Sequence, residues 1–328
     1  MMRFFRTMKY QSLIAFSALL LLVAGCTSAV VSNKIAETRL ITHAKYGLVD
    51  RSMTVDDHTI HYVEGGVNHG ESVLLIHGFG ADCDNWLYFA GYLVKKYHVV
   101  ALDLPGFGQS QTLDGQSYSI AAQVRRLHWF AEALGLKTVH MAGNSMGGAI
   151  AAIYAAEYPA GVSSLALLAP SGLRNGLAPS FASDLASGRN ALLMLSPSDF
   201  DRMLDLCFYK KPTVPDFLKN HLVNFSLQRK DFNRKVFDDI IHDDSLEKRL
   251  KDIAAPTLVV WGENDGILDV KGADTLTKGI ANSRALIIKE CGHTPMIEKA
   301  GETATGYLEF LKSLKQVPLY LGTSRERK

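Results

Sequence analysis

The chain reads as an α/β protein: a doubly wound, mostly parallel sheet with helices on both faces and an inserted helical cap. Three observations predict this. Six short apolar runs, at residues 73–76, 99–102, 138–142, 165–168, 257–261 and 285–288, have the unbroken hydrophobicity of strands buried on both faces. Between most of them lie helical stretches, at 85–96, 120–134, 146–158, 271–280 and 303–314, and regular alternation of the two implies a parallel sheet. Residues 169–256 break the rhythm with no strong strand. A structureless loop of that length does not suit a compact domain, so a helical cap is the economical reading.

The 328 residues suffice for one large domain with an insertion, and 47% hydrophobic with 21% charged is an ordinary globular composition. A formal charge of +2 and the lack of a basic stripe with interleaved aromatics exclude nucleic acid as a partner. The basic end Ser324-Arg325-Glu326-Arg327-Lys328 reads as a solvated tail.

Residues 1–25 stand apart. Arg3, Arg6 and Lys9 form a positive start, 12–24 an apolar stretch too short to span comfortably, and Leu22-Val23-Ala24-Gly25-Cys26 closes it. Met8 offers a second start with a charged flank. The pattern resembles the bacterial lipoprotein signal, which implies cleavage before Cys26 and lipid on its thiol. Cleavage removes three of the 35 basic residues and none of the 33 acidic ones, leaving about −1, so attachment rests on the lipid rather than on charge. Thr27 stands where an aspartate usually retains such proteins at the inner membrane, so the resemblance implies the outer membrane.

Residues 26–50 read as a tether and an early helix, 51–170 and 250–318 as the core, and 171–249 as the cap or lid. The alternating runs 53–55 and 59–63 read as a hairpin around Asp56-Asp57-His58. In the cap, Ser196-Pro197 starts a helix, and Phe200, Met203, Leu204, Cys207 and Phe208 make an apolar stripe that lines a pocket or packs the cap. Cys83, Cys207 and Cys291 have neither disulfide nor metal spacing and read as buried thiols, with a Cys83–Cys291 bridge left open.

The chemistry gathers just after the apolar runs, where reactive groups of doubly wound sheets collect. Gly143-Asn144-Ser145-Met146-Gly147-Gly148 sets Ser145 on a sharp strand-to-helix turn between residues without side chains. A serine nucleophile needs a base oriented by an acid. His293 lies in the glycine-flanked loop after the last run, and Asp265 follows 257–261, with Glu263 and Asp269 as nearby rivals. His128 and His140 sit inside helix and strand patterns and read as structural. After 73–76, His77-Gly78-Phe79-Gly80 supplies a close-approach loop, so the Phe79 and Met146 amides are the expected oxyanion donors, with His77 pinning the loop. Asp103 opens a second glycine loop, Asp103 to Ser110, which lacks phosphate-cradle spacing and shapes the sheet end instead.

These five motifs, in this order, resemble the α/β-hydrolase superfamily over roughly 50–315, and in particular the bacterial lipase and esterase branch that includes lipases of cold-living bacteria. The resemblance implies hydrolysis of carboxylic esters, including acylglycerols, with Ser145, Asp265 and His293 as the triad, no cofactor, no metal and no obligate protein partner. Carbon–carbon bond hydrolysis, lactone opening and peracid formation use the same residues and stay open. Epoxide hydrolysis and dehalogenation put aspartate where Ser145 stands. A non-catalytic surface binding protein is the rival from another class.

Overall fold

A computed structural model describes residues 28–315; the leader, Cys26, the basic tail and the last residues of the 250–318 segment lie outside the described residues. In chain order, α1 (Ser28–Lys45) precedes the hairpin β1 (Val49–Val55) and β2 (His58–Gly65). Then come β3 (Ser72–Ile76), α2 (Leu87–Leu93), β4 (His98–Leu102), α3 (Ile120–Ala133), β5 (Val139–Asn144), α4 (Met146–Glu157) and β6 (Val162–Leu168). Between β6 and β7 every regular α element is helical: α5 (Pro179–Ala186), α6 (Pro197–Cys207), α7 (Asp216–Gln228), α8 (Lys230–Ile241) and α9 (Ser245–Arg249). The chain returns through β7 (Thr257–Gly262), α10 (Gly272–Gly279), β8 (Ser283–Ile288), α11 (Pro295–Glu298) and α12 (Ala300–Leu314).

The eight strands form one sheet in the order β1-β2-β4-β3-β5-β6-β7-β8. β1 and β2 pair antiparallel, as do β2 and β4, and every later pairing is parallel. The period of two explains the layers. Leu74 and Ile76 of β3 pack with α3 and α4, whereas Val73 and Leu75 pack on the other face with α2 and α12. β8 departs from the both-faces-buried reading of its apolar run: it is an edge strand, and Ile287 stays 41% exposed. A hydrophobic run marks strand propensity, and its place in the sheet decides how many faces are covered.

Within 171–249 the helix start at Ser196-Pro197 forms as its sequence cues suggest. Ser196 accepts the Asp199 amide at 3.1 Å and Pro197 occupies the first turn of α6. The α6 stripe packs the cap internally, with Phe200 and Leu204 against Val223 of α7. Among the described residues no helix is long and apolar enough to cross a membrane.

α1 is fixed to the body by buried charge. His43, 1% exposed, lies between two carboxylates, with Nδ1 2.7 Å from Asp50 and Nε2 2.7 Å from Asp84. Burial alone would lower the His43 pKa, but its hydrogen bonds to Asp84 and Asp50 outweigh this and raise it above 6.5. Burial would likewise raise Asp50, yet His43 holds it below its usual 3.8. Asp82 nearby is pushed up to about 7 by burial, then by Asp84 and Asp103.

The signs set the pH window. The His43 contribution is complete below 6.5 and disappears as pH rises through its raised value, while ionisation of Asp82 costs stability on the climb to about 7. The Asp50 contribution is lost only on acidification below 3.8. Amide-exchange protection across 28–45 is therefore expected to fall as pH rises from acid through neutrality and beyond 6.5, and a flat profile would show that these groups do not hold α1.

Candidate active site

β3 and β5 lie side by side although β4 intervenes in sequence, so their carboxyl ends flank the point where the winding reverses. Both leave the sheet there into glycine turns. Ser145 follows β5 at φ 55° and ψ −121°, a strained conformation for a residue with a side chain. Its backbone is held on both sides, its amide donating to Leu168 at 3.0 Å and its carbonyl accepting from Gly148 and Ser171. A side chain at Gly147 would lie 2.3 Å from the carbonyl oxygens of both Ile76 and His77, and one at Gly143 would lie 2.2 Å from Gly147 O. The turn therefore exists only without Cβ atoms there, which is what lets α4 start against the end of β3.

His77 does pin its loop. Its Nδ1–H donates to Gly78 O at 2.7 Å, and its Nε2 accepts the Leu104 amide at 2.9 Å. These partners fix the neutral tautomer, and complete burial lowers its pKa further. Phe79, next along, packs edge-on against Phe107 and Phe237. Among the described residues the Phe79 and Met146 amides donate to no carbonyl in any turn, loop or cap.

Asp265 and His293 meet although 28 residues separate them. The His293 Nδ1 is 2.8 Å from Asp265 Oδ2. The other Asp265 oxygen accepts the Ile267 and Leu268 amides at 2.8 and 3.0 Å, so the carboxylate is fully engaged and its side chain fully buried. Its rivals differ: Glu263 is exposed, and Asp269 accepts the Lys271 amide. The His293 loop sits tightly on β7, where a Cβ at Gly262 would be 2.0 Å from Gly292 O. Among the described residues the Ser145 hydroxyl has no side-chain hydrogen bond with His293. The two are joined instead through Asn144, whose Nδ2 donates to His293 O at 3.1 Å and to Leu168 O at 3.0 Å.

Ser145, Phe79 and Met146 line one cavity of about 530 Å³. Phe181, Phe237, Ile240 and Leu268 supply much of its apolar wall, and Arg174, Asn175, Asp243 and Asp244 lie at its polar part. The α6 stripe does not line it; α5, α8 and the segments after β6 and β7 do. Cys83, Cys207 and Cys291 are free and buried, so the open Cys83–Cys291 pairing is not formed. Burial pushes the Cys207 and Cys291 thiols up, which leaves them un-ionised near the site.

Two residues escaped the sequence reading. Asn144 was visible only as a member of the serine turn, although its amide joins the two loops. Glu298 accepts the Gly292 amide at 2.7 Å and the Lys210 amide at 2.7 Å, tying the histidine loop to the chain after α6. Its sequence signal is merely an acid in the first turn of a helix opened by Pro295.

Gly147→Ala is expected to destabilise the fold by about 3 kcal/mol, because backbone rather than a flexible side chain must yield. Urea unfolding checks this, and a loss below about 0.5 kcal/mol would mean that α4 and β3 do not meet as described.

Comparison with known proteins agrees with this fold. A family model described as the alpha/beta hydrolase fold matches residues 71–300. The chain is 36% identical over 281 residues to the monoacylglycerol lipase ABHD6 of Bos taurus, covering 82% of this chain and 83% of that one. It is 35% identical to lipase 1 of Psychrobacter immobilis, covering 92% and 98%. A solved structure described as a membrane phospholipase A and bacterial virulence factor superposes with a TM-score of 0.84 at 40% identity, covering 93% of this chain and 99% of that one. The chain belongs to the α/β-hydrolase family and is a hydrolase of its lipase and esterase type.

Proposed function

We propose that the protein hydrolyses carboxylic esters of single acyl chains, acylglycerols among them, through an acyl-enzyme on Ser145. One observation carries this reading. A serine on a strained turn faces an apolar cavity, and the adjoining loop holds a histidine oriented by a buried, fully engaged carboxylate. His293 takes the Ser145 proton on Nε2 as Oγ attacks the ester carbonyl. Asp265 accepts the Nδ1 proton, fixing the tautomer and favouring the imidazolium that forms. The Phe79 and Met146 amides receive the oxyanion. His293 then protonates the leaving alcohol, and water, activated by the same imidazole, releases the acid. No cofactor enters these steps.

The cavity volume lies within the range of small-molecule sites, and its apolar wall with one polar part suits an acyl chain carrying a compact polar head. Residues 171–249 act as the cap over this cavity. Cys26 carries the lipid after removal of 1–25, and the enzyme works from the cell envelope, at the outer membrane.

Ser145→Ala is expected to lower kcat by about 10⁴-fold or more on p-nitrophenyl esters of two to sixteen carbons. No ester activity in the wild type, with Ser145 still labelled by a fluorophosphonate, would overturn the ester reading in favour of another serine-dependent bond cleavage. Ile240→Trp, which fills the cavity, should shift preference toward short chains by about 10-fold in the ratio of kcat/KM values. Cys26→Ser should abolish incorporation of labelled palmitate; undiminished labelling would refute the anchor.

A further inference from the structure

The oxyanion loop is held at its upstream end by His77, and its downstream end is held by charge from a distant part of the chain. Residues 82–84 follow the loop directly. Asp82 accepts the Asp84 amide at 3.0 Å, and the Cys83 amide donates to Asp103 at 2.7 Å. Asp103 is fully buried and also accepts the Gln109 amide at 2.8 Å and His61 Nδ1 at 2.9 Å. His61 reaches Asp50 on its other nitrogen at 3.1 Å. Four carboxylates, Asp50, Asp82, Asp84 and Asp103, thus meet behind the loop. The permanent cation among them is Arg39 of α1. Its Nε lies 2.7 Å from Asp84 Oδ2, and its Nη2 donates to Cys83 Sγ at 3.2 Å.

His61, Cys83 and Asp103 bring three metal-type donor atoms within 4.8 Å of one another. The guanidinium on the thiol and the three donors already bonded to Asp103 leave the cationic role to arginine instead. Asp103 is buried and Asp50, Asp82 and Asp84 are half-buried, and like charges gathered in this way are tolerable only with a paired cation.

We propose that Arg39 is a positioning residue for the reaction: by neutralising the carboxylates behind residues 82–84, it keeps the Phe79 amide aimed at the developing oxyanion. The proposal rests on the acyl-enzyme reading above. It gives α1, the helix that follows the anchor segment, a part in turnover as well as in attachment. Without Arg39, the acids at 82, 84 and 103 relax apart or take up protons, and the loop between Ile76 and Cys83 loses its downstream support. A displaced oxyanion donor weakens transition-state binding more than ground-state binding.

The test compares wild type, Arg39→Met, which keeps the stem and removes the charge, and Arg39→Lys, which keeps the charge and removes the fork. Enzyme is counted by fluorophosphonate titration and assayed well below each melting temperature. For Arg39→Met, kcat on a p-nitrophenyl ester should fall about 10- to 100-fold with KM within about twofold. Affinity for a trifluoromethyl ketone, which forms a tetrahedral adduct on the serine, should fall by a similar factor. Arg39→Lys should recover part of both. A lowered melting temperature with unchanged kcat per titrated site would overturn the proposal and leave Arg39 a mere fastener of α1. Should Arg39→Met not fold, Arg39→Gln, which keeps a hydrogen-bonding head without the charge, decides: wild-type kcat and ketone affinity in that variant refute the proposal. A wild type without ester activity would instead be failure of the parent reading, visible before any Arg39 variant is assayed.

Discussion

The whole site depends on one close approach, that of the first turn of α4 to the end of β3. Gly147 sits where a single methyl group would strike the Ile76 and His77 carbonyls, so the absence of a side chain lets two neighbouring parallel strands deliver their loops to the same few ångströms. From that contact follows the strained Ser145, whose positive φ is maintained because Leu168, Gly148 and Ser171 hold its amide and carbonyl. Strain of this kind persists only where the surroundings over-determine it. Here the sheet supplies that determination: β6 provides the Leu168 carbonyl and β3 the wall against which the turn is pressed.

The same logic extends to the histidine. His293 comes from a loop almost 150 residues later in the chain, yet it shares anchors with the serine turn. Asn144 donates simultaneously to β6 and to the His293 carbonyl, while Gly262 allows Gly292 to lie against the end of β7. Each catalytic candidate is therefore placed by backbone packing first and by side-chain bonding second. This explains why so many of the surrounding residues are glycine.

Legibility in the sequence follows from this division. Apolar runs betrayed the strands because central parallel strands are buried on both faces, and β8 misled only in its exposure, since an edge position leaves no mark on a short run. Ser145, His293 and Asp265 stand out as candidates because serine chemistry requires particular residue types at strand ends, and glycine flanks advertise tight turns; the structure brings His293 and Asp265 together. The reading of the α6 stripe was the least informative: helical spacing of Phe200, Leu204 and Cys207 announces a buried face without naming what buries it. Arg39, His43, Asp84 and Glu298 were illegible for a related reason. Each is an ordinary charged or titratable residue in an unremarkable helix or turn, and its partner comes from a different element. Periodicity cannot report a pairing across 41 residues.

The cluster behind the oxyanion loop bears on why the N-terminal helix packs where it does. An apolar helix could cover the same flank of the sheet by hydrophobic burial alone, without the cost of desolvating several carboxylates. The acids, however, are not free to be replaced: Asp103 accepts backbone amides from Cys83 and Gln109, and so defines both loops at this end of the sheet. Given that fixed negative charge, a cation must come from somewhere, and β1 and β2 contribute only histidine and more acid on this side. Arg39 satisfies the requirement with a charge that does not titrate in any physiological range and a fork that reaches carboxylate and thiol together. His43 and His61 bridge pairs of acids, Asp50 with Asp84 and Asp50 with Asp103, while the permanent counter-ion is Arg39. The helix thus answers a negative charge that originates in the loops at 82–84 and 103–109, and Arg39 is the pairing that joins it to them.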